Sequence, residues 1–347
     1  MSTSPSAPAS ELPAGPSADA DMKLGAFARQ RLRALREGEL GSLPIVVGIV
    51  VIAVYFQARN SNFLTAGNFV NLLAQMSALT IIGMGIVFVL LLGEIDLSVG
   101  YVSGIGGVIT AVLLEPGKGV PTSVAVVLAL GAGMTIGLLQ GFFVAKLGVP
   151  SFVVTLAGLL GWNGVALSVI GSSGTIVIQN SFVNDIANQY LRHWLAWVAA
   201  IVAVLAYSLQ QLTTIYRRRL AELPNDPWPF VIARIALLAI AAIAVVVVAD
   251  QDRGLPYVIL IMLGAYVLWT FITRRTRFGR HVYAVGGNAE AARRAGINVA
   301  GVRIAVFAIS GTMAALGGIV LASRRGSARS MTPPAGARSC CTRSRPP

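Results

Sequence analysis

Residues 69–92 read FVNLLAQMSALTIIGMGIVFVLLL and residues 93–100 read GEIDLSVG. The first stretch is 24 residues long and carries no charge. As a helix it would extend about 36 Å at 1.5 Å per residue, enough to cross a hydrocarbon core of about 30 Å. Its apolar residues are continuous and do not alternate, which excludes a barrel strand. The second stretch sets two carboxylates, Glu94 and Asp96, between two apolar runs with almost no loop.

The same pattern recurs along the chain. Apolar runs fall near 42–57, 69–92, 99–114, 122–145, 152–171, 193–210, 229–249, 255–272 and 302–322. The fold class is therefore all-α, a polytopic transmembrane helical bundle of about nine spans. Composition agrees, with 55% hydrophobic and 12% charged residues, where soluble domains carry roughly 25% charged residues. A net charge of +13 raises the question of nucleic acid. The positive residues lie between apolar runs and not on one soluble face, so nucleic acid is excluded as a partner and the lipid bilayer takes its place.

Charge also orients the spans. With the N-terminus inside the cell, the inner segments are 23–41, 93–98, 146–151, 211–228 and 273–301. They hold fifteen Lys and Arg, against four in the outer loops: Arg59, Lys118, Arg192 and Arg253. This asymmetry predicts a multi-pass protein of a bacterial inner membrane with a cytoplasmic N-terminus. Residues 1–41 read as a cytoplasmic tail, Ser/Pro/Ala-rich and disordered at first, then basic and suited to anionic lipid. The transmembrane domain covers 42–322, with a cytoplasmic loop at 273–301. The loop at 172–192 is polar and outer.

Several chemistries find no support. The two cysteines, Cys340 and Cys341, are adjacent near the end, and His193 and His281 have no metal-ligand spacing. No catalytic residue and no metal site is predicted. There is no G-x-x-x-x-G-K-[ST] loop, so the chain does not itself hold ATP. A membrane enzyme would need a cluster of His, Asp or Glu that is missing here. A secondary transporter or channel without an ATPase is the main alternative. It would place ionisable residues within spans, and these are nearly free of charge apart from Glu94, Asp96 and Arg234.

Two segments carry function. In Gly93–Gly100, Glu94, Asp96 and Ser98 have two readings. Asp96 and Ser98 would cap the third helix in a hydrated interface, or the three would serve the substrate path or its gate. The flanking glycines suggest a broken helix. Gln140 and Asn163 are further candidates for the path, each a neutral hydrogen-bonding group on an apolar span, with Gln75, Ser77 and Ser168 as weaker ones. The second segment, 276–299, contains a short helix with clear punctuation. Asn288 is a good N-cap, Glu290 suits the first turn, arginines suit the last, and Gly296 is a good C-cap. Such a helix suits docking to a cytoplasmic partner. The glycines of one span (131, 133, 137, 141) and another (311, 317, 318) predict close helix approach.

Three ordered motifs then resemble one family. The string TRFGRHVYAVGGNAEAARRAGINV at 276–299 is similar to the cytoplasmic loop of the ribose/xylose/galactose permeases of ABC importers. GEIDLSVG at 93–100 and VPSFVVTL at 149–156 match two further family segments. The extra apolar pair within 193–249 looks most like xylose-type members. The resemblance implies a permease subunit importing a monosaccharide by alternating access. It implies a cytoplasmic ATPase subunit carrying ATP and Mg, a periplasmic sugar-binding protein and a second permease copy, with no cofactor bound by this chain. It assigns coupling to the ATPase to Arg280, Asn288, Glu290, Ala291, Ala292, Arg294, Gly296 and Ile297.

Family members continue with more helices after the ninth span. Here residues 323–347 turn to Arg, Ser, Pro, Thr and Cys and leave the family pattern. The expectation is an out-of-frame stretch from about 324, or else a disordered tail. With it comes the alternative of a truncated permease remnant that does not transport.

Overall fold

The computed structural model describes residues 43–171, 180–221 and 228–330. The basic N-terminal stretch and the last seventeen positions of the tail lie outside the described residues. Among the described residues, twelve helices follow in order, written here α1 to α12: Leu43–Arg59, Ala66–Leu91, Val99–Leu113, Thr122–Lys146, Ser151–Ile170, Ser181–Asn188, His193–Leu220, Trp228–Asp250, Val258–Arg275, Arg277–Gly287, Ala289–Arg294 and Val299–Ser330. Among the described residues, seven of them (α2, α4, α5, α7, α8, α9 and α12) are long and apolar enough to cross a membrane, and two apolar ones (α1 and α3) are shorter. These nine are the nine runs of the sequence.

The structure departs from the expected boundaries in four places. α7 runs on to Leu220 and carries Arg217, Arg218 and Arg219 in its last turn. At 28 residues it is about 42 Å long, so its basic end extends past an apolar core and favours the helix's negative pole. The loop expected at 172–192 contains α6, started by Asn180, whose side chain accepts from Val183 N. A further helix, α10, precedes the short capped one. The ninth span runs past 322, and α12 continues to Ser330. Ser323 is fully buried, and its hydroxyl donates to the Val183 carbonyl of α6.

The chain forms two compact units. Of the described residues, one takes in 43–66 and 192–252, the other 67–191 and 253–330. In the first, α7 and α8 pair as a hairpin. At one end of it, Asp250 accepts from Trp197 Nε1 at 3.1 Å and meets His193 Nδ1 at 2.8 Å.

The second unit is built on α12, which packs along α4 and α3. Small residues make that approach possible. A methyl group on Gly133 would strike the Gly311 carbonyl, and one on Gly318 would strike the Ser103 carbonyl. Gly137 and Gly141 face α12 in the same way, while Gly131 faces open space. Lipid offers no hydrophobic drive for helix association, so close backbone packing must supply it. At one end of the unit Phe88, Val89, Val282, Val285, Val306 and Phe307 form an apolar cluster. Phe88 meets Trp269 edge-on at 5.0 Å, and Trp269 Nε1 donates to Met313 Sδ at 3.1 Å.

The segments on either side of residues 192–252 are paired within this second unit. Leu191 N donates to the Leu255 carbonyl at 2.8 Å and Tyr257 N to the Gln189 carbonyl at 3.1 Å. The α7–α8 hairpin thus leaves and re-enters the chain at one two-stranded clasp.

Candidate functional site: the polar turn and the capped helix

α2 ends at Leu91, and Gly93 turns the chain with φ +73°, a left-handed conformation that a side chain would strain. The next residues lie in the bundle wall and every polar group must find a partner. Ile95 N donates to Ser151 Oγ at 3.1 Å. The Ile95 carbonyl lies 3.2 Å from Thr155 Oγ1, which also bonds back to Ser151 O at 2.9 Å. The first turn of α5 therefore holds the turn after α2. These are two of the three sequence motifs, and they dock on each other.

Asp96 is buried and accepts three hydrogen bonds. Oδ1 takes Ser98 N at 3.0 Å and Ser98 Oγ at 2.7 Å; Oδ2 takes Ser310 Oγ of α12 at 2.9 Å. The Ser98 hydroxyl has one proton and gives it to Asp96. Gln140 of α4 therefore presents its amide group, with Nε2 donating to Ser98 Oγ at 2.9 Å. Asp96, Ser98, Gln140 and Ser310 make one buried chain across three elements: the turn, α4 and α12.

The capping expectation is corrected here. Ser98 does stand at the N-cap of α3, but in helical conformation and with no side-chain cap bond. Its hydroxyl donates to Asp96 and accepts from Gln140 Nε2 instead of from a helix amide. Asp96 holds the Ser98 amide, so it fixes the turn leading into α3 without capping the helix itself.

Glu94 has a different partner, Arg303 in the second turn of α12. Nε and Oε1 are 3.2 Å apart, with side chains 30% and 15% exposed for Arg303 and Glu94. The angle at Nε misses a hydrogen bond, so the pair is held by charge. Seven residues separate Arg303 from Ser310. The turn is thus fastened to α12 at two points about 10 Å apart.

The third motif arrives at the same end of the unit. α10 starts at Thr276, which accepts from Gly279 N at 3.2 Å. Gly286 lies so close that a Cβ would overlap the Leu91 carbonyl at the end of α2. Val282 and Val285 join the cluster of Phe88 and Val89. α11 follows with Asn288 at its N-cap, accepting from Ala291 N at 2.9 Å. It closes as a Schellman motif: Ile297 N donates to Ala292 O and Gly296 N to Arg293 O, both at 3.0 Å, with Gly296 at φ +84°. Ala292 and half-buried Ile297 are pinned to the cluster. Glu290, Ala291, Arg294 and Gly296 face outward, as does Arg280 on α10. The Glu290 pairs with Arg293 at 3.2 Å and Arg294 at 3.5 Å are exposed and add little to stability.

Comparison with known proteins decides the family. Residues 68–338 match the family described as branched-chain amino acid transport system / permease component. The chain belongs to this family. It is a multi-pass membrane permease, a transport subunit. It is similar to the xylose transport system permease protein XylH of Escherichia coli (strain K12), 35% identical over 295 residues, covering 84% of this chain and 74% of that one. It is also similar to the galactose/methyl galactoside import permease protein MglC of Haemophilus influenzae, 28% identical over 299 residues, covering 82% and 70%. The D-allose transport system permease protein AlsC of Escherichia coli (strain K12) is 27% identical over 279 residues, covering 80% and 66%. No solved structure matches.

In this permease the path candidates Asp96, Ser98 and Gln140 come together, and Glu94 stands beside them on Arg303. Asn163 is half-buried one residue from Trp162 and does not join the chain. Of the weaker candidates, Ser77 and Ser168 bond back to their own helix and Gln75 is exposed. Sequence reasoning missed Ser310, Ser151, Thr155 and Arg303. Arg303 alone had a local signal, as a cation within the apolar run 302–322, which the charges named for the spans passed over.

Proposed function

We propose that this permease is the membrane subunit of an ATP-driven importer for a monosaccharide, xylose or a similar pentose or hexose. The substrate follows the names of its relatives XylH, MglC and AlsC, all of them sugar permeases. A separate cytoplasmic subunit hydrolyses ATP with Mg and docks on α11. A periplasmic protein delivers the sugar, and a second permease copy completes the path. The chain sits in the inner membrane with its N-terminus and the α10–α11 end in the cytoplasm, as its arginines favour.

One observation carries this reading. The capped helix, the polar turn and the first turn of α5 converge at one end of a single unit, through the Gly286–Leu91 contact, the Glu94–Arg303 pair and the Ser151–Ile95 bond. A push on α11 therefore reaches α12, and through Ser310 it reaches Asp96, Ser98 and Gln140. This is a connected route from a docking helix to a buried polar chain, which is what alternating access driven from another subunit requires. The uncharged character of most spans favours it over ion-coupled transport.

The test is a substitution at the helix stop. Proline holds φ near −65°, so Gly296→Pro is incompatible with φ +84°. Gly296→Pro, or deletion of 288–297, is expected to abolish sugar-stimulated ATP hydrolysis in the assembled complex while membrane insertion persists. Undiminished coupling in both variants would refute the docking role.

A further inference from the structure

A cavity of about 480 Å³ opens at the α10–α11 end of the second unit. Its wall is assembled from Phe278 and His281 of α10, the residues around Gly296 that stop α11, and Val302 and Ala305 near the start of α12. The space is open at its rim, where a Cβ on Gly296 would meet no atom within 4 Å. Its floor is apolar and firm. Phe278, Ile297 and Val302 pack in or against the cluster that Phe88 and Val89 of α2 also enter. Its edge is polar. His281 is exposed, and the Asn298 side-chain oxygen accepts from Gly301 N at 2.9 Å, which leaves the amide hydrogens to another group. The surroundings are basic. α10 and α11 carry four arginines, at 277, 280, 293 and 294, against one carboxylate, Glu290. Arg277 and His281 stand four residues apart, on one face of α10.

We propose that this cavity is a socket for the cytoplasmic ATPase subunit, receiving one large apolar side chain of that subunit from a segment rich in Asp and Glu. This rests on the docking of that subunit to α11 set out above. Gly296 both closes α11 and lines the cavity, so a partner seated on α11 is carried to the opening. Interface anchors are large side chains held in such pockets and ringed by contacts that exclude water. The arginines call for carboxylates beside the anchor. Two other occupants fit less well. The chain's own stretch 23–41 holds five Lys and Arg against two Glu and would meet like charge. A free sugar would find two polar side chains, His281 and Asn298, on an otherwise apolar wall. The socket also gives the partner a second bearing. Its anchor rests on the floor shared with α2 and α12, so a push reaches both helices without passing along α11.

The experiment uses the complete importer, with its own ATPase and sugar-binding subunits, in lipid nanodiscs. A benzoylphenylalanine photoprobe replaces either Ala305 in the cavity or exposed Ala291 on α11. Irradiation is expected to join both probes to the ATPase subunit. Peptide mapping is expected to put the adduct of position 305 on or beside a large apolar residue flanked by Asp or Glu. Ala305→Trp, which fills the cavity, is expected to weaken ATPase binding roughly tenfold to hundredfold, the worth of one buried large apolar side chain. Undiminished affinity in that variant would overturn the socket, and the photoprobe decides alone if the variant fails to assemble. A probe at 305 that joins lipid, the second permease copy, the chain's own N-terminal stretch or nothing, while the probe at 291 still reaches the ATPase, would overturn the socket and spare the docking of α11. Failure of both probes to reach the ATPase would overturn the docking reading, and the socket with it.

Discussion

α12 and α8 are both apolar helices of spanning length, and α8 is the more apolar of the two. Yet 67% of the apolar window of α12 is buried within the protein, against 11% for α8 and 6% for its hairpin mate α7. In water the more apolar helix would be the more buried. In lipid, hydrophobicity no longer sorts helices, and side-chain size and internal polarity do so. α12 carries Gly311, Gly317, Gly318 and Ser310, and closes on α3, α4 and the polar turn. α8 has no glycine and no serine, and its alanines are set among isoleucine, leucine and valine. What separates α12 from α8 is thus the set of glycines and buried polar groups that α12 places against its neighbours.

The sharpest break of this contrast is a matched pair of leucines. Gly318→Leu in α12 would force a side chain into the Ser103 carbonyl. Overpacking costs roughly 1–3 kcal/mol where neighbours can yield, and more against backbone. The variant is expected to be lost from the folded fraction in detergent. Ala244→Leu on the exposed side of α8 is expected to shift stability by about 0.5 kcal/mol or less. Thermal unfolding of the two purified variants reads the difference.

A smaller contrast compares two aspartates. Asp96→Ala orphans Ser98 N, Ser98 Oγ and Ser310 Oγ, each buried donor being worth about 1–3 kcal/mol when unmet. Asp250→Ala frees His193, whose side chain is 68% exposed, and Trp197 at the end of the hairpin. Water can replace that partner, so a loss of about 1 kcal/mol or less is expected. Equal losses in chemical denaturation would erase the distinction between the units.

The smallest effect is expected from the largest change. Residues 192–252 leave and return at the clasp of Leu191 with Leu255 and Gln189 with Tyr257. Replacing them with a short glycine-rich turn is expected to leave the second unit inserted and monodisperse by size exclusion. Aggregation of that variant would mean the hairpin is part of the fold's foundation.

Much of this was legible in the sequence. Length and apolarity place nine apolar helices, seven of them long enough to span, since a bilayer tolerates no other backbone there. Asn288 and Gly296 punctuate α11 by purely local chemistry, and the Schellman closure follows from them. What could not be read is contact between elements distant in sequence. Asp96 and Ser310 are 214 residues apart, and only the register of α12 brings them within hydrogen-bonding distance. Ser98 was expected at a cap and is one by position, but its hydroxyl serves a carboxylate whose burial no local pattern reveals. α6 escaped notice because eight residues within a polar loop carry no spanning signal, and its N-cap Asn180 looks like any loop asparagine.

The central claim is that the turn after α2 rides on α12 and so responds to the docking helix. Charge reversal at Glu94 and Arg303 tests it most directly, with sugar-stimulated ATP hydrolysis of the reconstituted complex as the readout. Glu94→Arg and Arg303→Glu should each uncouple hydrolysis from sugar, and the double reversal should restore much of it. Wild-type coupling in both single variants would contradict the account.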